Sequence, residues 1–265
     1  MTLLDDLLDD LHAEGDLLWT AVAGLDAEAW RTPTPAAGWT VATQVAHLLW
    51  TDEVAVLAAQ AHTPEGKEAW DALVLEAIAD PTGYVDQQAF EVARLAPEAL
   101  LARWGKARDA LPAALRSVPD GQKMPWFGPP MSPTSMATAR FMETWAHSLD
   151  VYDALGVEPE RSDRVRHVAH LGVRTRNFAF SVHELPPPAE EFRIDLVSPS
   201  GEQWTWGPED SGQTVTGSAW DFCLLVTQRV HRDDTDLVAS GADAEQWLTI
   251  AQAFAGPAGD GRPQK

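Results

Sequence analysis

SPTSMATARFMETWAHSLDVYDALG, Ser132 to Gly156, is the stretch on which the reading of the fold turns. It carries Glu143 and His147 four residues apart, a spacing that sets a carboxylate and an imidazole one turn apart on a single helix face. At about 100° per residue, Met136, Arg140, Glu143, His147 and Asp150 fall in a stripe roughly 80° wide, while Phe141, Trp145, Leu149 and Tyr152 lie elsewhere around the helix. A mostly ionisable stripe on an otherwise apolar helix is unusual. The ends are marked: Ser132 is placed to cap, Pro133 suits the first helical position, and Gly156 supplies a left-handed stop.

Working outward, Leu3, Leu4, Leu7, Leu8, Leu11, Leu17, Leu18 and Val22 recur at helical spacing and predict an amphipathic helix over about 2–24, with its aspartates solvated. The loop WRTPTPAAGW follows, and Thr40 is placed to cap a buried second helix running to about Gln60. His47 sits on that helix. Taken alone, a single histidine there is more often a satisfied core residue than a ligand. His62, beyond the helix end, reads as a surface residue. A short helix is expected around 69–78, then a long helical stretch over 85–118 broken before Pro97, with Pro112 a point of kinking. PDGQKMPWFGPPM, Pro119 to Met131, is a loop whose Trp126 and Phe127 either plug the end of a bundle or line the mouth of a pocket. Residues 162–180 read as one helix. Its His167 and His170 stand among Arg164, Arg166, Arg174 and Arg176, a cationic setting that disfavours a metal ion.

At ELPPPAEE, Glu184 to Glu191, the periodicity changes. Phe192, Ile194 and Leu196 alternate, SPSG turns the chain, and Trp204 and Trp206 alternate again as a hairpin. A strand at 214–216, a helix capped by Ser218, a strand near 236–240 and a last helix opening at Asp243 and stopped by Gly256-Pro257 complete the pattern. The expectation is a two-domain chain: an all-α four-helix bundle over 1–184, a small α+β domain over 190–257, and a disordered tail over 258–265.

The 265 residues carry 19 lysines and arginines against 40 aspartates and glutamates, a formal charge of −21 that repels phosphate backbones and anionic headgroups. No nucleic acid and no membrane partner is therefore expected. The single cysteine, Cys223, leaves neither an intrachain disulfide nor a thiolate metal cluster and suits a reducing cytoplasm. The acidic start MTLLDDLLDD lacks the features of a signal peptide. The expected assembly is a monomer or homodimer.

GWTVATQVAHL, in which the second helix opens and reaches His47, together with METWAHSLDVYDALG, resembles the DinB-like bundle family. The closer likeness is to the N-terminal domain of mycothiol-dependent maleylpyruvate isomerases. The resemblance implies a divalent metal, most often zinc, held by His47, Glu143 and His147, with mycothiol as cosubstrate and a small-molecule electrophile as its partner. Two imidazoles and a carboxylate form a common first shell for catalytic zinc. Asp150 is the expected carboxylate behind a histidine ligand, Arg140 an accompanying site residue, and Trp126 and Phe127 candidate contacts for the thiol. Asp52 lies five residues past His47, about 140° round the helix, and is a poor fourth ligand. The activities implied are isomerase or thiol transferase. A metal-dependent hydrolase and a metal- or thiol-binding protein without turnover remain the alternatives.

Overall fold

Each of the two long histidine-bearing helices starts on a hydroxyl. Thr40 Oγ1 accepts from the Thr43 N–H at 3.3 Å to open α2 (Val41–Gln60), and Ser132 Oγ accepts from the Ser135 N–H at 3.1 Å to open α6 (Pro133–Leu155). Gly156 closes α6 at φ 64°, a left-handed conformation that a side chain would disfavour. These belong to a computed structural model that describes residues 2–259 and 261–265. With α1 (Leu3–Val22) and α5 (Pro97–Ser117) they form a four-helix bundle, α2 packing on α5 and α6, and α1 on α6. Helices α3 (Pro64–Ala79) and α4 (Tyr84–Val92) lie against α2. Helix α3 starts earlier than its apolar pattern suggests because Thr63 caps it and Pro64 occupies its first position. Helix α5 continues through Pro112.

The chain divides into two compact units between Pro159 and Glu160. That corrects the expected boundary at Glu184. The helices α7 (Arg166–Arg174) and α8 (Arg176–Val182) belong with the second unit, α7 packing on α9 (Ala219–Val226) and α8 on α10 (Ala242–Ile250). Asp163 Oδ1 and Oδ2 accept from the Ser200 N–H at 2.9 Å and its hydroxyl at 2.6 Å, and Cys223 Sγ donates to the Val165 carbonyl at 3.4 Å. These bonds tie the segment before the proline run to the segment after it. The expected single helix over 162–180 is also split, since Thr175 leaves helical geometry with its hydroxyl on the Leu171 carbonyl at 3.0 Å.

In the second unit β1 (Arg193–Val197), β2 (Gln203–Trp206), β3 (Thr214–Ser218) and β4 (Val238–Ser240) form one sheet in the order β2-β1-β3-β4. The β1–β2 hairpin is antiparallel with Leu196 opposite Trp204, β1 and β3 are parallel, and β3 and β4 antiparallel. Ile194, Leu196, Trp204 and Val215 are buried, and Trp247 of α10 meets Phe192 and Phe222 edge-on with ring centroids 5.7 and 5.6 Å away. Trp204 is thus a core residue. Helix α10 ends at Ile250, short of the expected Gly256-Pro257 stop, because the Ala253 N–H bonds the Val226 carbonyl at 2.7 Å and draws the chain away. Its first N–H groups are met not by a capping box but by Gln213 Oε1, 3.0 Å from both Asp243 N and Ala244 N. In the tail, residues 258–259 and 261–265 carry no helix or strand, and Asp260 lies outside the described residues. Cys223 is fully buried, and burial pushes its thiol well above the usual value. Among the described residues no helix is long and apolar enough to cross a membrane.

Candidate metal centre

Helices α2 and α6 face each other in the bundle, and His47 from the first meets Glu143 and His147 from the second. Both ring Nε2 atoms converge on one carboxylate oxygen, Glu143 Oε2, at 3.2 Å from His47 and 3.1 Å from His147. The ring centroids stand 4.4 Å apart. Among the described residues this is the one set of three His, Cys, Asp or Glu side chains whose donor atoms all lie within 4.8 Å of one another. Atoms bound tetrahedrally at about 2.0–2.1 Å from zinc stand roughly 3.3 Å apart, so the two nitrogen–oxygen separations match what a small divalent cation demands. The donor types fit as well. The Glu143 side chain retains 24 % exposure, against 9 % for His47 and 15 % for His147.

Burial works against ionising Glu143, but the hydrogen bonds of His147 and His47, with their charge, outweigh it and hold the carboxyl well below the usual range. Its partners are the two imidazoles. The neighbouring carboxylate of the bundle, Asp52, is satisfied differently: its two oxygens take Arg140 Nε at 2.9 Å and Trp104 Nε1 at 3.1 Å in a fully buried ion pair. Arg140, expected to accompany the metal site, is thus engaged with Asp52. Its Nη2 is buried without a protein partner among the described residues.

Two residues that the sequence reading passed over shape the site. Gln44, fully buried and one turn before His47 on α2, lies with Oε1 against His147 Nδ1. Its Nε2 donates to Thr34 Oγ1 at 2.9 Å and reaches Asp150 Oδ2 at 3.5 Å, so Asp150 connects to His147 through the amide. Trp39 covers both rings, stacked on His147 at 5.8 Å with planes 20° apart and tilted over His47 at 5.5 Å, while Phe90 meets Trp39 edge-on at 6.2 Å. The loop fixes Trp39 through its carbonyl, which accepts from the Thr34 N–H at 2.9 Å, and its N–H, which donates to the Ala36 carbonyl at 3.0 Å. Gly38, at φ 79°, permits that turn. The i−3 position of Gln44 and the Trp39 in GWT were the available signals.

Trp126 and Phe127 join a separate aromatic group. Trp126 stacks on Trp70 at 6.2 Å, and Phe127 lies against Trp70 at 5.6 Å and Trp50 at 6.2 Å. Trp70, Met124 and Pro125 wall a cavity of about 320 Å³ that also touches Ala58. Ala58 is about 16 Å along α2 from His47 at 1.5 Å per residue. His170 is pushed below the usual imidazole range by burial and then by Arg174, His167 and Arg166, a poor setting for a cation.

The family model described as the mycothiol maleylpyruvate isomerase N-terminal domain matches residues 11–152, more than half of the chain and the whole of α2 and the site on α6. The chain belongs to this family. A second model, described as wyosine base formation, matches residues 188–240. A protein of Mycobacterium tuberculosis described as uncharacterized, found in two strains, is 56 % identical over 96 % of both chains. Two solved structures, the mycothiol-dependent maleylpyruvate isomerase and a histidine-to-alanine mutant of it, align over 91 % of this chain and 95 % of theirs with TM-scores of 0.58 and 0.60. At 15 % identity that likeness is one of fold, and it extends from the family's N-terminal domain into the second unit.

Proposed function

We propose that this member of the maleylpyruvate isomerase N-terminal domain family is a metal-dependent, mycothiol-using enzyme acting on a small unsaturated electrophile, as an isomerase or a thiol transferase. The observation that carries the reading is the convergence of His47 Nε2 and His147 Nε2 on Glu143 Oε2, in a set whose donor atoms lie within 4.8 Å of one another. Those three residues would hold the ion, zinc being the best match to two imidazoles and a carboxylate. A divalent cation bound there supplies the positive charge that favours a thiolate over a thiol near neutral pH. Trp39 stacks on the His147 ring and tilts over that of His47, and in this reading a thiol would approach from the exposed part of Glu143. Addition of the thiolate to a cis double bond, rotation about the resulting single bond and loss of the same thiolate return the trans isomer with atoms balanced. Protonation of the anionic adduct by solvent, followed by its release, instead makes the chain a transferase. The family description and the donor geometry support this reading together.

The test begins with metal analysis of the purified protein. Mycothiol added to a cobalt-substituted form should produce a sulfur-to-cobalt charge-transfer band in the near ultraviolet, and turnover of activated alkenes should require the thiol. An unchanged spectrum at saturating mycothiol, with thiol-independent turnover, would replace this reading with a hydrolytic one.

A further inference from the structure

The Gln44 amide can face its neighbours in only one direction. A carboxylate such as Asp150 accepts hydrogen bonds and donates none, so the Gln44 nitrogen 3.5 Å away must be the NH₂ group. Thr34 gives the same answer independently. Its hydroxyl donates to the Trp39 carbonyl at 3.2 Å and is left to accept from Gln44 Nε2 at 2.9 Å. With the NH₂ group fixed by two acceptors, the amide oxygen is turned toward His147 Nδ1, and an oxygen there calls for a hydrogen on that nitrogen. The other ring nitrogen, Nε2, is the one that faces Glu143 and His47.

We propose that Gln44 is the positioning residue of the candidate metal centre: held by Asp150 and Thr34, its amide oxygen binds His147 Nδ1–H and so presents the His147 Nε2 lone pair to the metal. The inference rests on the metal reading above and deepens it. It assigns to a neutral amide the place that a carboxylate commonly takes behind a histidine ligand, with the carboxylate one step further back. It also couples the site to the loop that carries Trp39, since Thr34 bonds both Gln44 and the Trp39 carbonyl.

The experiment compares Gln44→Met, Gln44→Glu and His147→Ala by zinc titration calorimetry of the full chain. Gln44→Met keeps the length of the side chain and removes its acceptor; zinc affinity should fall about 10- to 100-fold, the usual effect of losing such a partner. Gln44→Glu keeps an acceptor for Nδ1–H and should hold affinity within about threefold of the parent. A purely structural role predicts the opposite order, because a buried carboxylate beside Asp150 is worse for packing than methionine. Nitrogen-15 NMR of the zinc-loaded protein gives a second readout: the His147 Nδ1 proton should persist in the parent and Gln44→Glu and exchange away in Gln44→Met. If Gln44→Met does not fold, Gln44→Leu replaces it, since it too removes the acceptor for His147 Nδ1–H and should lower affinity likewise. Gln44→Met binding zinc as tightly as the parent, while His147→Ala does not bind, would overturn the role of Gln44 and leave the metal site standing. Undiminished zinc in His147→Ala would instead overturn the metal reading beneath it.

Discussion

Two carboxylates in one bundle, Asp52 on α2 and Glu143 on α6, have opposite surroundings. Asp52 is sealed at 5 % side-chain exposure, its charge met by the Arg140 guanidinium and its second oxygen by an indole N–H. Glu143 keeps 24 % exposure and faces two imidazoles through one oxygen. Both oxygens of Asp52 are met by protein donors; around Glu143 three donor atoms crowd one point, the arrangement on which the proposed cation site rests. A polar residue inside a bundle is therefore not in itself a sign of function. What distinguishes the two is whether the partners already present satisfy it.

The comparison is broken most forcefully at the open cluster. His47→Ala, Glu143→Ala and His147→Ala should each weaken metal binding by about 100-fold or more, beyond the 10- to 100-fold typical of an outer partner, with helical far-UV spectra retained. Stoichiometric metal in any purified variant would move the site elsewhere. At the sealed pair the effect should appear in stability instead. Asp52→Ala strands the Arg140 charge and should cost about 3–5 kcal/mol in urea unfolding, whereas the joint change Asp52→Leu, Arg140→Met should recover most of that loss. A joint variant no more stable than the single one would mean that the pair does more than balance itself.

A smaller effect at Glu143 appears with pH. The metal-free protein gains stability from Glu143 because its folded pKa lies well below the unfolded value. That contribution is present above the unfolded carboxylate pKa of about 4.3 and is lost as pH falls through the folded one. Unfolding of metal-free protein between pH 7 and 3 should therefore be less pH-dependent in Glu143→Gln than in the parent. Parallel profiles would refute the sign. The smallest effect belongs to His167→Ala and His170→Ala, whose metal content, measured on purified protein, should not change.

Much of the site was legible because it follows periodicity. Glu143 and His147 share a face by spacing alone, and Thr40, Ser132 and Gly156 fix the ends of their helices through local chemistry. Gln44 was not legible: a glutamine on a buried helix has no motif, and its role appears only when Asp150 and Thr34 arrive from other segments. The unit boundary escaped for a similar reason. Three consecutive prolines look like a break, but the bonds that decide the matter, Asp163 to Ser200 and Cys223 to Val165, span 37 and 58 residues. Helix α10 ends early through Val226, whose carbonyl is bonded by an N–H 27 residues further along the chain.

Cys223 bears on how such a protein fares under oxidation. Its sulfur is enclosed, bonded to the Val165 carbonyl, and kept protonated by its surroundings. Since thiolate character and access govern disulfide exchange and sulfenic acid formation alike, the chain offers no reactive sulfur of its own to an oxidised small thiol. A protein proposed to handle a cellular thiol is thereby spared from forming a mixed disulfide with it, and peroxide stress should reach its activity through the thiol pool and not through Cys223.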